Sequence, residues 1–563
     1  MNIVIVGGSA AGAKVASKLR RLDESAKITI IQKSRYLSMA SCGFPYYVGG
    51  VFNDRNMLIS APAGVQRDPS FFSSVKNIDA LVATAVTAID RREKSLTVRS
   101  VDGGEVWTVR YDKLVIATGA TPVVPKVPGV ELQNVTSLQS MEDAEFLKQV
   151  VVRREARRAV VIGGGLIGLE TCEALQLAGV KITLIEAADQ VLPFLDWELA
   201  KLVENYLRHQ GIALHLETSL AALVGEQGRL TGARLSTGET IPCDLAVLAV
   251  GVRPDGILAR AAGLEVGQHG GILVNRFMQT SDPDIYAAGD CVETTNLITH
   301  ARQPWPMGDA ANLQGRVAAQ NLLGGNTEEY EGFIGTGICK VLGYSAGSTG
   351  LSEKAARAEG YSNIVTVVHA APDKPGFMGA KPLIIKMVAD KTTGRFLGMQ
   401  AVGTSDVSKR VAMAAMALHA RFTVADMVSL DLPYAPPFSP AIDNFIQAVH
   451  ALENKWRGMM NGISCAEVYR RAAAGEPLFL LDVRSPREYE AERLAMGETL
   501  IPLAQLRTRL SDLPSDRERE IVTYCKISLR GYEAACFLRA MGYRNVKVME
   551  GGLMAWPYAL ESV

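Results

Sequence analysis

Short, unbroken apolar runs that end at glycine set the pattern of the first half of the chain. Residues 3–6 (Ile-Val-Ile-Val) lead into a turn from Gly7 to Gly12, residues 13–21 carry apolar positions at helical spacing, and residues 28–31 (Ile-Thr-Ile-Ile) return to an apolar run. Continuous runs of this length read as strands buried on both faces, so strand, glycine turn, helix, strand predicts a βαβ unit of a parallel sheet. The order recurs at residues 159–162, 163–168 and 181–186. From residue 330 the character changes. Residues 337–342, 364–369 and 383–388 read as antiparallel strands, a helix is predicted over 407–420, and a helical linker over 444–460.

Composition narrows the class. At 563 residues the chain exceeds one hydrophobic core and predicts three or four domains. Lys+Arg 59 balances Asp+Glu 59, which gives no reason to expect a nucleic-acid or membrane-surface partner. No apolar run is long enough to span a bilayer, and residues 2–6 lead straight into Gly7 as a strand would, so a soluble protein is expected. The 8 cysteines show neither metal-ligand nor disulfide-framework spacing, which fits a reducing cytoplasm and predicts no metal site.

The glycine turns carry the first chemistry. A strand, a glycine-rich turn and a helix N-terminus let backbone N–H groups approach a pyrophosphate closely. In the first copy Gly7 and Gly12 are present, Ser9 replaces the middle glycine, and Gln32 stands where a carboxylate normally grips a ribose. The second copy is complete, with Gly163, Gly165 and Gly168, and Glu186 ends its second strand. A carboxylate there bonds the ribose diol and repels a 2′-phosphate, so NADH is expected over NADPH.

Cys42 lies shortly after the second strand, in Ser38-Met-Ala-Ser-Cys42-Gly-Phe-Pro-Tyr-Tyr-Val-Gly-Gly50. It is expected to open a helix, whose positive end would favour the reactive thiolate. The usual fate of a free cysteine is to be buried and inert. No second cysteine follows nearby, and Tyr47 stands where a two-cysteine reductase would place one, so Cys42 must cycle with an external sulfur or oxygen.

Two further segments, Tyr111-Asp-Lys-Leu-Val-Ile-Ala-Thr118-Gly119-Ala120 and Thr280-Ser-Asp-Pro-Asp-Ile-Tyr-Ala-Ala-Gly289-Asp290, complete a resemblance to the flavoprotein disulfide reductase superfamily. The resemblance implies an α/β protein with two Rossmann-like domains: a split FAD domain (1–112 and 250–327) and an inserted NADH domain (113–249). It implies that Asp290 bonds the FAD ribitol and that Thr118, Gly119, Gly251 and Gly289 line the cofactor sites. An α+β dimerisation domain (328–445) and a linker (446–461) follow. Within the dimerisation domain, Leu432-Pro-Tyr434-Ala-Pro-Pro437 resembles a segment delivered across a homodimer, with Tyr434 as phenol donor beside Cys42 of the other subunit. Residues 462–563 resemble a rhodanese domain, through Asp482-Val-Arg484 and the loop Cys525-Lys-Ile-Ser528-Leu-Arg530-Gly531. A cysteine ending a strand and heading a short loop forms an anion-binding nest suited to a persulfide. Arg530 closes that loop, and Ser528 departs from the glycine often found there.

Within the single-cysteine reductases, residues separate three readings. NADH peroxidases and oxidases share Ser41-Cys42-Gly43 but typically carry a histidine in the first glycine loop, where Ala10 and Ala11 stand here. Coenzyme A disulfide reductases share Cys42 to Gly50 and the Tyr434-Ala-Pro-Pro segment, although Ser41 replaces their asparagine and their paired tyrosines are replaced around Gly376-Phe377. The fused rhodanese favours the third reading, reduction of coenzyme A persulfide or polysulfide through FAD by NADH, with Cys42 and Cys525 in the sulfur path. Lys18, Arg20 and Arg21 are candidates to clamp coenzyme A phosphates. A reading from another class keeps the fold but makes the protein a persulfide relay or redox sensor without turnover.

Overall fold

The computed structural model describes residues 1–562, which divide into two compact units: Met1–Ala187 with Ile212–Phe333, and Ala188–Gly211 with residues 334–562.

The first unit holds two five-stranded parallel sheets. In one, Asn2–Val6 lies between Lys27–Ile31 and Lys113–Ile116, with Ile285–Ala287 and Asp79–Leu81 at the edges. In the other, Arg158–Ile162 lies between Lys181–Ile185 and Leu245–Leu248, with Ala213–His215 and Val135–Thr136 outside them. The helices Ala10–Leu22 and Leu166–Leu177 are the crossovers that follow the two glycine turns. Beyond their first, polar residues the central strands are largely apolar because both faces are covered; Val4, Ile5, Ile30 and Val115 belong to one core and are fully buried. Lys113–Ile116 pairs with Asn2–Val6, so a boundary at 112/113 falls inside the first sheet. The chain leaves that sheet through Ala120–Pro122 and returns through Val252–Pro254, and these two strands pair antiparallel.

The second unit contains a five-stranded antiparallel sheet in the order Gly337–Val341, Tyr344–Gly350, Phe396–Gly403, Pro382–Asp390, Ile364–Pro372. Helices Val407–His419 and Asn444–Trp456 pack on it. Its C-terminal part is a five-stranded parallel sheet in the order Gly462–Ile463, Val546–Met549, Ile521–Tyr524, Phe479–Asp482, Thr499–Leu500. Residues 188–211, assigned by sequence pattern to the inserted domain, belong to this unit. Lys386, 3 % exposed, holds Asp196 at 3.0 Å, Glu198 at 2.5 Å and Glu353 at 2.8 Å, which fastens the helix Trp197–His209 to the antiparallel sheet. Asn205 donates to the Pro557 carbonyl at 2.7 Å, tying the same helix to the C-terminal module. Among the described residues no helix is long and apolar enough to cross a membrane.

Candidate active site

The first glycine turn is a closed joint. Gly7 has φ +104°, and a β-carbon there would run into the Ala117 carbonyl; one at Gly12 would overlap the Gly7 carbonyl. Only glycine lets strand end, helix start and neighbouring strand meet so closely. Gln32 accepts the Gly8 N–H at 2.7 Å, so the amide braces the turn from the end of the second strand. Ser9 stands at the helix N-cap without a side-chain bond to the helix. Around this turn, the Thr118 hydroxyl donates to the Asp255 carbonyl at 2.6 Å, and Gly119 and Gly251 adopt φ +76° and +109°. Gly289 donates its N–H to Gln314 at 2.8 Å. The next residue, Asp290, has no hydrogen-bond partner among the described residues, and burial pushes its carboxyl up to about 6. A carboxylate drawn out of water and left unpaired beside a glycine-built cradle is a group waiting for a polyol or amide partner. These residues fit FAD.

The second turn repeats the joint: β-carbons at Gly163 and Gly168 would strike the Ala249 and Gly163 carbonyls. Gly165 faces open space, so its lack of a side chain serves the approach of a ligand, not packing. Glu186 accepts the Gly164 N–H at 2.6 Å. The arrangement fits a second dinucleotide.

Cys42 sits in a single 3-10 turn, Ser41–Gly43, directly before the short helix Phe44–Val48, whose Phe44 is buried. The thiol is exposed, and a β-carbon at Gly308, the first residue of the helix Gly308–Gly324, would lie 3.9 Å from its sulfur. Cys42 thus faces the first cradle. The expected helix opening is there, but its expected effect on the thiol is not. Although Cys42 is exposed as a residue, the protein around its sulfur withdraws it partly from water and raises its pKa; Glu170 raises it further, the residue's own backbone N–H offsets part of this, and Asp290 and Asp309 add to the rise. A five-residue helix contributes only a small dipole, and desolvation is the largest cause of the rise. All eight cysteines are free. Glu170 is the residue that sequence pattern misses. It lies on Leu166–Leu177 two places beyond Gly168, where nothing in the spacing separates it from an ordinary solvent-facing carboxylate.

Arg20 is not available to clamp a coenzyme. It is 6 % exposed, and its guanidinium donates to the carbonyls of Asp23, Glu24, Ala26, Lys76 and Asn77. The helix turns it inward to close the backbone of the following loop, whereas Lys18 is half-buried and Arg21 exposed.

In the second unit Tyr434 is 54 % exposed and Phe438 69 % exposed, on an irregular segment whose Ala435 carbonyl accepts the N–H groups of Phe438 and Ser439. The end of that segment is anchored by Asp443, which takes two bonds from the buried Arg410 and one from Lys409. Phe377, at the tip of the hairpin between Ile364–Pro372 and Pro382–Asp390, is also exposed.

In the C-terminal module Cys525 directly follows the strand Ile521–Tyr524 and is fully buried. Leu553 and Met554 donate their N–H groups to the Cys525 and Lys526 carbonyls at 3.1 and 2.9 Å, and a β-carbon at Gly552 would overlap the Cys525 carbonyl. Ser528 takes φ +77°, the conformation a glycine would adopt, and its hydroxyl donates to the Met549 carbonyl at 3.0 Å. The loop therefore keeps a glycine-like shape. The helix Leu529–Ala540 starts immediately after it. Arg530 makes a two-pronged pair with Glu488 at 2.8 and 2.6 Å, and both Glu488 and the Cys525 thiol hold the guanidinium above its ordinary range. A buried thiol beside a fixed cation and a helix start is a site for an anionic sulfur.

Residues 1–304 match the pyridine nucleotide-disulphide oxidoreductase family, 337–445 its dimerisation domain and 464–558 the rhodanese-like domain. The chain belongs to the pyridine nucleotide-disulphide oxidoreductase family and carries a C-terminal rhodanese domain. It is similar along 99 % of its length to the solved structure of an NAD-dependent persulfide reductase from A. fulgidus, with TM-score 0.93 and 40 % identity over 100 % of that chain. The structure of reduced Bacillus anthracis CoADR-RHD gives TM-score 0.91 and 36 % identity, covering 99 % of this chain and 97 % of that one. Among curated relatives, an NAD(P)H sulfur oxidoreductase (CoA-dependent) of Pyrococcus abyssi is 34 % identical over 80 % of this chain and 98 % of its own. A protein of Methanocaldococcus jannaschii named NADH oxidase is 31 % identical over 78 % of this chain and 96 % of its own.

Proposed function

We propose that this protein reduces the sulfane sulfur of coenzyme A persulfide or polysulfide to hydrosulfide with NADH. The observation that carries the reading is one chain holding both a redox-sited cysteine without a partner thiol, Cys42, and a rhodanese loop built around Cys525 and Arg530. The balance is CoA–S–SH + NADH + H⁺ → CoA–SH + H₂S + NAD⁺. Bound FAD supplies a two-electron relay between nicotinamide and sulfur.

Cys42 attacks the coenzyme-bearing sulfur. The bond from that sulfur to the terminal sulfur breaks, hydrosulfide leaves with the electron pair, and a Cys42–S–S–CoA bond remains. Two electrons that originate in NADH then return Cys42 and the coenzyme to thiols. Gly163, Gly165, Gly168 and Glu186 hold NADH, and Gly7, Ser9, Gly12, Gln32, Thr118, Gly119, Gly251, Gly289 and Asp290 hold FAD. Lys18 and Arg21 remain as candidates for the coenzyme's phosphates. In the homodimer, Tyr434 acts as a phenol donor at the partner's Cys42, which accounts for an exposed tyrosine on an anchored segment. Cys525 carries sulfane sulfur to the first site.

Coenzyme A disulfide reduction is the second reading, favoured by the likeness to CoADR-RHD, because it passes through the same Cys42–S–S–CoA bond. NADH oxidation with CoA persulfide, CoA disulfide, hydrogen peroxide and dioxygen as separate acceptors decides between them. The persulfide should give the highest kcat/KM. Cys42→Ser should abolish turnover with it while NADH still bleaches the flavin; persulfide turnover surviving in that variant overturns the mechanism.

A further inference from the structure

The loop that carries Cys525 holds two cations, and one short helix answers both. Arg530 receives two contacts from Glu488, at 2.8 and 2.6 Å, and Lys526 meets Glu492 at 3.0 Å. Glu488 lies on the helix Pro486–Ala491, whose C-cap is Glu492. Glu488 is also tied down locally. It accepts the Ser485 N–H at 3.1 Å and the Ser485 hydroxyl at 2.9 Å, which closes a capping box. Arg484, buried and paired with Asp482 at 2.7 Å, donates to the Glu488 and Glu492 carbonyls at 3.2 and 2.8 Å and so fixes the helix that presents both carboxylates.

The loop folds back on the end of its strand. A β-carbon at Gly531 would lie 3.1 Å from the Tyr524 α-carbon, and the Thr523 hydroxyl donates to the Gly531 carbonyl at 2.8 Å. The neighbours of Arg530 and of Cys525 are thereby in contact. The backbone N–H groups of residues 526–530 meet no acceptor among the described residues. Consecutive free N–H groups after a buried cysteine hold one negative sulfur without help from a side-chain charge. A second negative charge needs a cation, and both cations of the loop are already neutralised.

We propose that Glu488, by occupying Arg530, makes the rhodanese module selective for organic persulfides over thiosulfate. The proposal deepens the reading of Cys525 as a sulfur carrier and rests on it. With the favoured donor the step is R–S–SH + Cys525–SH → R–SH + Cys525–S–SH; with the disfavoured one it is S₂O₃²⁻ + Cys525–SH → SO₃²⁻ + Cys525–S–SH. In each, the bond to the outer sulfur breaks, a new one forms to Cys525, and the electron pair leaves with the thiol or the sulfite. An organic persulfide brings at most one negative charge at its transferring end, whereas thiosulfate brings two to a loop flanked by two carboxylates. Of these, Glu488 carries more of the effect, because its two-pronged pair is held more firmly than the single, more exposed Lys526–Glu492 contact.

Because Glu488 acts through Arg530, it is a positioning residue, and the test separates its charge from its structural part. The full-length holoenzyme is compared with Glu488→Gln, which keeps a capping box without the charge, and with Glu488→Asp, which keeps the charge. Thiocyanate formation from cyanide is followed with thiosulfate and with N-acetylcysteamine persulfide as donors. Glu488→Gln should lower KM for thiosulfate about tenfold and leave kcat/KM for the persulfide within about twofold, while Glu488→Asp stays close to the unmodified enzyme. Thiosulfate binding is measured by calorimetry in Cys525→Ser with and without Glu488→Gln, and should tighten about tenfold in the double variant. A donor ratio unmoved in Glu488→Gln, an equal loss with both donors, or Glu488→Asp behaving like Glu488→Gln overturns the role of Glu488. Tighter thiosulfate binding in a protein that forms no thiocyanate from either donor supports that role and overturns the carrier reading of Cys525 instead.

Discussion

Glu186 accepts the backbone N–H of Gly164 at 2.6 Å, and in the first cradle Gln32 accepts that of Gly8 at 2.7 Å. The residue ending the second strand thus braces its own glycine turn in both dinucleotide-type units. In the proposed function the Glu186 carboxylate also faces the ribose diol of NADH. Glu186→Ala should lower kcat/KM for NADH about tenfold, the worth of one charge-assisted hydrogen bond, and lower NADPH less, so that the preference narrows. Side-by-side kinetics with the two nucleotides check this. Equal efficiency in the unmutated enzyme would refute the assigned role.

In the proposed mechanism Cys525 lies outside the hydride path. Cys525→Ser should therefore leave the turnover of pre-formed CoA persulfide within about twofold, well inside 1 kcal/mol of transition-state binding, while slowing polysulfide or other bulky donors about tenfold or more. NADH-oxidation rates with the two donor classes provide the comparison. Equal loss with both donors would place Cys525 in the obligatory chemistry, and no loss with either would leave the module without a supply role.

Ser528 holds a left-handed backbone conformation that costs a non-glycine residue roughly 1–2 kcal/mol, offset by its hydroxyl bond to the Met549 carbonyl. Ser528→Gly removes both terms and should change stability by less than about 1 kcal/mol. Ser528→Ala keeps the strain and loses the bond, and should cost about 1–2 kcal/mol together with sulfurtransferase activity. Urea denaturation and thiosulfate:cyanide assays on the three proteins test the pair; an alanine variant as stable as the glycine one would contradict it.

Lys386 neutralises Asp196, Glu198 and Glu353 together. Burial by itself would raise Glu353, but Lys386 and Arg357 hold it down at about 2. Because the folded-state value lies below the ordinary one, this carboxylate stabilises the fold at neutral pH. Its contribution should be lost as pH falls from about 4.5 towards 2, on the order of 3 kcal/mol by linkage. Lys386 is held above its ordinary range despite burial, so its share is complete at neutral pH and fades only on the alkaline side. Lys386→Met should destabilise the second unit by about 3–5 kcal/mol at pH 7, and by less near pH 3, where the stranded carboxyls take up protons. Thermal unfolding at the two pH values measures the difference, and an equal penalty at both would show that packing, not charge, is what Lys386 supplies.

Much of this protein was legible in its sequence because the signals are local. A glycine that would collide with the carbonyl of its own turn's first glycine leaves a fixed spacing, and both turns, Gly7 to Gly12 and Gly163 to Gly168, read correctly from spacing alone. So did the antiparallel strands 337–341 and 364–372 and the helices 407–419 and 444–456, because each follows from a short-range period of apolar residues. What only the tertiary structure decided depends on which side chains converge from distant positions. Arg20 looks like a solvent-facing cation in its helix, yet folding spends it on five backbone carbonyls. Residues 188–211 follow the second cradle in sequence but belong with the antiparallel sheet, because one buried lysine gathers two carboxylates from this segment and a third from Glu353. Cys42 was visible at once. That its thiol is raised and not lowered follows first from its partial withdrawal from water in the folded chain and then from carboxylates some 130 to 270 positions away, Glu170 foremost, which no local pattern encodes.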